Sequence, residues 1–531
     1  MSPRYGMVVD LNRCVGCQTC AIACKHANDT PPGVQWRRVL DVERGTYPDV
    51  ERLFLVTGCQ HCAEPPCVPV CPTGATRQRA DGLVTMDYDT CIGCGYCAVA
   101  CPYQARTIAH DTGWYYGEPT AQETHVVHEE RAGVANKCTF CVERVDEGTA
   151  LGKVPGTDLE YTPACAASCI AQALHFGDFA DPDSNVSRLA RDNASFQMHE
   201  ELGTDPQIRY LYDVPNATPG REAEEVDTAD AAMANPENPL VGERQTFWDA
   251  RAAMNFTLGG LSGGAMAVAG LAAAFGMLGS DALVDAYLVA AALMALGLFF
   301  VFLEIGRKLR FLYVLLRPQT SWMTRETYAV AVLYPALALD VLWPHPVLHA
   351  AVALAGAAFL YCQAQILFAG KGIPAWRAPL VPWLIVASGL LEGAGLLGFL
   401  MKVMGTGAVE GIAWTIVVLS VAAGILWHRY RRTAAGEGIG PLAHAELDAV
   451  APVVTIFGHA APALLCLLGL AIAGPLSAWA IGLGGVLAVA GGALWKFAVI
   501  VRAGHQQGFA IPMMPTRGSG TRAAPPRLEP I

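Results

Sequence analysis

Residues 14–24 read CVGCQTCAIAC and residues 91–101 read CIGCGYCAVAC, two copies of one eleven-residue pattern. The spacing of Cys14, Cys17, Cys20 and Cys24, and of Cys91, Cys94, Cys97 and Cys101, is that of bacterial ferredoxin loops. There a tight turn offers three thiolates to one [4Fe-4S] cube, and the fourth cysteine, at the start of a helix, reaches a neighbouring cluster. Two looser copies complete the set: Cys59, Cys62, Cys67 and Cys71, and Cys138, Cys141, Cys165 and Cys169, with 23 residues inserted between the second and third of the last group. Sixteen thiolates in four groups predict four [4Fe-4S] clusters. Pro72 and Pro102 follow their fourth cysteines as the pattern expects, whereas Lys25 and Ile170 stand at the other two positions. Proline there shapes the chain without binding iron, so the ligand count is unaffected.

Structural zinc also uses paired Cys-x2-Cys turns, but zinc sites seldom bring four cysteines within eleven residues, twice over. Disulfides fit neither the clustered spacing nor a reducing compartment. His61, between Cys59 and Cys62, is of the residue type that replaces thiolate in Rieske centres. With a full set of cysteines present, packing or solvent contact is the expected role. Cys362 and Cys466 lie in apolar stretches, where a free cysteine behaves as a small hydrophobe, and they receive no chemistry.

Outward from these motifs the composition changes sharply. Sixteen of the eighteen cysteines fall between Cys14 and Cys169, while long apolar runs begin only after about residue 254. The chain has 531 residues, 53% of them hydrophobic, and a mean hydropathy of +0.33, high for a wholly soluble protein. The expected fold is an α+β ferredoxin-like four-cluster domain followed by an all-α membrane bundle of eight transmembrane helices. Its boundaries read as a cluster domain over 1–217, an acidic linker over 218–250, a membrane anchor over 251–503 and a basic, disordered tail over 504–531. The formal charge of −11 comes without a basic stripe to neutralise phosphates, which argues against nucleic acid as a partner.

Eight apolar segments of spanning length are expected, roughly 254–278, 283–303, 326–343, 346–369, 379–403, 408–427, 450–472 and 475–500. Both ends of such a bundle lie on one side of the membrane. The loops on that side carry Arg307, Lys308, Arg310, Arg317, Arg325, Lys371, Arg377, Arg429, Arg431, Arg432 and Arg502, while the opposite loops offer little beyond Lys402. By the positive-inside rule the cluster domain faces the cytoplasm. The first ten residues show neither an apolar signal stretch nor a twin-arginine pair, which agrees. The expected location is the inner (cytoplasmic) membrane of a bacterium or archaeon, crossed several times.

At residues 10–20 (DLNRCVGCQTC), 59–75 (CQHCAEPPCVPVCPTGA) and 87–106 (DYDTCIGCGYCAVACPYQAR) the chain resembles the iron–sulfur subunits of the dimethyl sulfoxide reductase family of molybdenum enzymes. The resemblance covers nearly all of residues 1–180. It implies that the groups pair first with fourth and second with third. The implied cubes are Cys14, Cys17, Cys20 and Cys169; Cys24, Cys138, Cys141 and Cys165; Cys59, Cys62, Cys67 and Cys101; and Cys71, Cys91, Cys94 and Cys97. Relatives with a three-iron cluster carry tryptophan in the third group, so Cys94 implies four irons. Residues 303–326 (LEIGRKLRFLYVLLRPQTSWMTRE) resemble the family's eight-helix anchor subunit. Two subunits normally separate would then be fused, as expected of the cytoplasm-facing branch similar to phenylacetyl-CoA:acceptor oxidoreductase and membrane-bound sulfite dehydrogenase. The implied partners are a catalytic subunit with molybdenum or tungsten bis-pterin, and membrane quinone, either menaquinone or ubiquinone.

Quinone reduction takes up protons with electrons, so an outlet needs ionisable groups in apolar surroundings. Glu304, Arg307 and Arg310 close the second apolar segment, and Trp322, Arg325 and Glu326 open the third. These six are the candidate quinone residues, although basic residues and tryptophan at helix ends also serve as interface anchors. Asp340, Glu392 and His459 lie deeper and either carry protons or satisfy interhelical hydrogen bonds. No Cys-x2-Cys-His occurs and the intramembrane histidines are poorly matched, so no haem is expected. By itself the chain is expected to convert no organic substrate. Two alternatives remain: an electron-transfer subunit of a hydrogenase or formate dehydrogenase complex, and a redox-coupled proton-pump module.

Overall fold

A computed structural model of the chain describes residues 2–46, 49–111, 113–211, 234–404, 409–433, 438–472 and 474–511. These residues divide into two compact units, one formed by the chain up to Glu243 together with the segment from Gln507, the other by Arg244–Gln506.

The first unit is built on a four-stranded sheet. Its strand β1 (Tyr5–Asp10) is buried at all six positions, as befits a central strand with an unbroken apolar run. It pairs in parallel with the last strand of the unit (Ile208–Leu211) and antiparallel with Leu174–Asp178. Helix α1 (Thr19–Ala27) follows the first cysteine loop and buries Cys20 and Cys24. Further along, the amphipathic helix α2 (Asn185–Asp192), capped by the Ser184 side chain, buries Val186 and Leu189 against Val8 and Leu211. Three antiparallel hairpins fill the rest: Arg37–Thr46 with Asp49–Gly58, Thr76–Gln78 with Val84–Met86, and Thr107–Ala109 with Val134–Asn136. Cysteines from all four groups are buried in this unit among Leu11, Trp36, Leu55, Phe140 and Phe176.

Two boundary expectations need correction. The acidic stretch expected as a linker lies outside the described residues up to 233, but from residue 234 the chain is folded, with Leu240 in the core of the first unit. The expected disordered tail is likewise packed over its first residues. Phe509 and Ile511 join the first unit's core, the Phe509 N–H donates to the Leu240 carbonyl at 2.8 Å, and His199 Nε2 donates to the Gly508 carbonyl at 2.6 Å. Two buried apolar side chains anchor a segment whose polar, glycine-containing composition suggested a free end. Residues 512–531 lie outside the described residues.

The second unit is all helix. Every one of the expected apolar segments is helical: α3 (Ala250–Ala274), α4 (Ser280–Glu304), α5 (Trp322–Leu342), α6 (Pro346–Phe368), α7 (Val381–Met404), α8 (Val409–Thr433), α9 (Pro441–Ala471) and α10 (Pro475–Arg502). Among the described residues, seven are long and apolar enough to cross a membrane. The one left out is α5, which holds Arg325 and Glu326 near its start and Asp340 near its other end. Helix α9 begins nine residues earlier than expected, at Pro441, and passes through a π-helical stretch, Val454–Ala460, just after Pro452. Helix α3 is the hub. A Cβ on Gly264 would collide with the Gly389 carbonyl oxygen, and one on Gly393 would collide with the Ala265 nitrogen, so α3 and α7 touch backbone to backbone.

Candidate functional site

The first Cys-x2-Cys turn of each of the four groups shares one backbone feature. The residue before the second cysteine is left-handed in each: Gly16 (φ 69°), His61 (φ 43°), Gly93 (φ 70°) and Phe140 (φ 56°). That conformation turns the backbone sharply between the two thiols, at little cost for glycine and about 1–2 kcal/mol for other residues. His61 and Phe140 stack face to face, with ring centroids 3.8 Å apart, which offsets that cost. His61 is fully buried and accepts from the Val84 N–H at 3.1 Å, so it packs and does not meet solvent. Burial first, then the nearby charges of Lys137 and Arg37, hold its pKa well below the usual value.

The turns bring the thiols together across motifs. One hollow of about 330 Å³, open in part to solvent, is lined by Cys14, Cys17, Cys20 and Cys169. A second, of about 320 Å³, is lined by Cys59, Cys62, Cys67 and Cys101. Cys24 has Cys138, Cys165 and Cys141 as its thiol neighbours. Cys94 has Cys97, Cys71 and Cys91. In the order Cys14, Cys24, Cys59 and Cys71 we refer to these as the first to fourth sets. Cys138 of the second set also neighbours Cys59 of the third, which places those two sets side by side.

The thiol geometry fits iron–sulfur cubes. Among the described residues, no three His, Cys, Asp or Glu side chains converge closely enough to hold a single metal ion. The thiols surround volumes instead of meeting at a point, as a cube with a sulfur-ligated iron at each corner requires and a tetrahedral zinc with bonds of about 2.3 Å does not. Burial pushes the Cys20 and Cys97 thiols up to about 12 and Cys101 to about 11. Thiolates in these positions therefore need a positively charged group at their centre. Donors to sulfur are in place as well: the N–H groups of Thr76, Phe140 and Ala173 point at Cys71, Cys138 and Cys169 at 3.5, 3.4 and 3.3 Å, and Asn28 Nδ2 lies 3.8 and 3.7 Å from Cys24 and Cys141. Cys17 is exposed and Cys169 half-buried, so the first set is the most open to solvent, while Cys94 leaves the fourth partly open.

The six candidate quinone residues lie along the end of α4, the run that follows it and the start of α5. Glu304 is buried at the end of α4 and accepts from the Asp249 N–H at 3.3 Å. Arg307 and Arg310 lie in the short helical run that leads from α4 to α5. Trp322 and Arg325 open α5 together. The Arg325 guanidinium sits 4.2 Å from the Trp322 ring centre and donates to the Pro318 and Gln319 carbonyls at 2.8 and 2.6 Å, while Trp322 meets Tyr361 of α6 edge to face at 5.6 Å. Glu326 is buried beneath them, and its Oε1 has no hydrogen-bond partner. No hydrogen bond or ion pair among the described residues joins Glu304 to Trp322, Arg325 or Glu326.

The deeper groups fall into two separate networks. Asp340 accepts from Tyr287 Oη at 3.2 Å and His349 Nδ1 at 2.7 Å, tying α5 to α4 and α6. Glu392 of α7 pairs with Lys496 of α10 at 2.8 Å, both at 1% exposure or less. His459 donates to the Val454 carbonyl within its own π-helical stretch, at 3.0 Å. Sequence reasoning found Glu392 but missed Lys496, which sits in an apolar helix and reads as an end-of-span cation. Cys362 and Cys466 are buried in α6 and α9.

Residues 50–115 match the family model described as a 4Fe-4S dicluster domain. The chain is 40% identical over 249 residues to a dimethyl sulfoxide reductase iron–sulfur subunit of Halobacterium salinarum, covering 43% of this chain and 88% of that protein. It is 40% identical over 220 residues to a subunit of the selenate reductase of Mesobacillus selenatarsenatis, covering 39% and 70% respectively. It is also 39% identical over 224 residues to a subunit of the sulfite dehydrogenase of Allochromatium vinosum, covering 39% and 82%.

Proposed function

This chain belongs to the iron–sulfur subunits of the dimethyl sulfoxide reductase family of molybdoenzymes, and we propose from that premise that it is a fused electron conduit and membrane anchor. Its four sets of cysteines hold four [4Fe-4S] clusters, which pass electrons between a separate molybdenum or tungsten pterin subunit and membrane quinone. The reading rests on one observation above the rest: each set draws three cysteines from one motif and the fourth from another, so the sets are linked in pairs by the chain itself. The electrostatic proximity of Cys138 to Cys59 supports joining the two pairs into one row.

The second unit acts as an anchor of eight spans, with α5 as the eighth. Its Arg325 and Glu326 suit a protein-facing or headgroup position better than lipid. The crowding of Arg and Lys in the loops on the side of the bundle's two ends supports a cluster domain in the cytoplasm. Trp322, Arg325 and buried Glu326 supply an aromatic face, a cation and a carboxylate in one turn of helix, which favours the start of α5 over Glu304 as the quinone contact. Among the described residues the Asp340 and Glu392 networks share no hydrogen bond, and this weighs against a continuous proton path through the bundle.

The test is electron paramagnetic resonance with iron quantitation on the purified chain in detergent, reduced with dithionite and then mixed with quinone. About sixteen irons and reoxidation by quinone are expected. Stoichiometric zinc would overturn the cofactor, and clusters indifferent to quinone would overturn the membrane outlet.

A further inference from the structure

Three cations are buried in the first unit without a carboxylate partner. Arg37, Lys137 and Arg106 are 1%, 0% and 4% exposed, and among the described residues none forms an ion pair with an acidic side chain. Arg37 Nη2 contacts Cys165 Sγ at 3.9 Å and Met7 Sδ at 3.5 Å, while its Nε and Nη1 have no hydrogen-bond partner among the described residues. Lys137 Nζ donates to the carbonyls of Val84 and Cys138. Arg106 Nη1 donates to Thr76 Oγ1 at 3.1 Å, and the Thr76 N–H in turn points at Cys71 Sγ. Burying a cation with only neutral partners is strongly unfavourable unless an opposite charge lies near.

The charged neighbours supply the missing partners, and their pattern is regular. Those of Arg37 are Cys165, Cys138 and Cys24 of the second set and Cys20 of the first. Those of Lys137 are Cys59 and Cys67 of the third set and Cys138 of the second, with the like charge of Arg106 also nearby. Those of Arg106 are Cys67, Cys59 and Cys101 of the third set and Cys97 of the fourth. One cation therefore stands at each of the three junctions in the row.

We infer that Arg37, Lys137 and Arg106 are the fixed counter-charges of the electron path, each stabilising an added electron on both clusters between which it lies. The inference rests on the four-cluster reading above. A cluster that gains one electron becomes more negative by one charge, and a cation held nearby in a low-dielectric interior favours that form. Because each cation is shared, it raises two neighbouring potentials together and adds little to the step between them. All three residues are positioning groups: they bind no iron and exchange no proton in the transfer.

The experiment compares charge-removing with charge-conserving substitutions in the full chain in detergent, by iron quantitation and redox titration followed by paramagnetic resonance. Lys137→Met is paired with Lys137→Arg, and Arg106→Met with Arg106→Lys. In Lys137→Met, two of the four clusters should shift toward the oxidised form about tenfold or more at a fixed potential, which is about 59 mV for one electron. The other two clusters should stay in place, and Lys137→Arg should behave as the parent. Loss of iron in the methionine variant with retention in the charge-conserving one would support the same role. Unchanged potentials in a fully loaded methionine variant, or equal effects of both substitutions at one site, would overturn the inference. A parent chain with fewer than about sixteen irons would instead defeat the four-cluster reading on which it rests.

Discussion

Lys496→Met should destabilise the helical unit by several kcal/mol, and most of that loss should disappear when Glu392 is neutralised in the same chain. The pair is 2.8 Å apart with both side chains out of solvent. Two unit charges at that distance attract by about 6 kcal/mol at an effective dielectric near 20. Much of this is cancelled by the desolvation both groups have already undergone, so the pair's net worth is far smaller. Removing one partner alone is different, because it leaves a buried charge uncompensated, at a cost of about 3–5 kcal/mol. Among the described residues no second cation stands ready to replace the lysine: the neighbouring Ser388 hydroxyl offers one neutral hydrogen bond, and Gly492 packs directly against the carboxylate. Glu392→Gln with Lys496→Met removes both charges and keeps both shapes, so a coupling energy of about 2–3 kcal/mol is expected in the double-mutant cycle. The assay is unfolding of the purified chain in mixed micelles by increasing dodecyl sulfate, followed by helical circular dichroism. A single variant within about 1 kcal/mol of the parent, or single effects that simply add, would refute the reasoning.

Other expectations are simpler. Gly264→Ala drives a methyl group into the Gly389 carbonyl and should destabilise the bundle by about 1–3 kcal/mol or more, whereas Gly411→Ala, with nothing within 4 Å, should leave the same dodecyl sulfate midpoint unchanged. Phe509→Ala removes a ring buried in the core of the cluster unit and should cost about 3–5 kcal/mol, read as a lower urea concentration for loss of the iron–sulfur absorbance. Because Cys17 is the only exposed cysteine of the sixteen, chelator under mild oxidation should release about a quarter of the iron first, and the remainder should resist; release in one phase would contradict that order.

The ease with which parts of this chain are read from sequence follows from the range of the forces involved. The four cysteine turns are local, since each needs only a few residues and a left-handed turn, and so they stand out in the string. The eight helices are equally legible because apolar length alone marks them, and even the shortfall of α5 is visible in Arg325, Glu326 and Asp340. Pairing of the sets is not local. Cys20 and Cys169 line one hollow across 149 positions of chain, which only a resemblance could suggest in advance. Lys496 is hidden for the same reason: its partner lies 104 residues away, and a lone lysine near the end of an apolar helix has an ordinary use at the membrane surface. The C-terminal segment reads as a free end in sequence, yet two anchoring side chains, Phe509 and Ile511, outweigh the polar residues around them.

Arg37, Lys137 and Arg106 show a further limit. In sequence each is an unremarked basic residue beside a strand or a cysteine, of the kind that ordinarily keeps a surface soluble. What singles them out is burial without acids, and that becomes visible only once the hairpins fold over the cysteine turns. The same folding explains His61 and Phe140. Two of the four turns use glycine for the left-handed residue, and the other two use rings that stack on each other between the second and third sets. A glycine at either position would relieve strain and lose the stack, which lies close to the charges of Lys137 and Arg37. The strained rings and the cations thus share one buried interior, where low-dielectric surroundings strengthen each cation's pull on its neighbouring thiolates and the thiolates in return make burial of the cations tolerable.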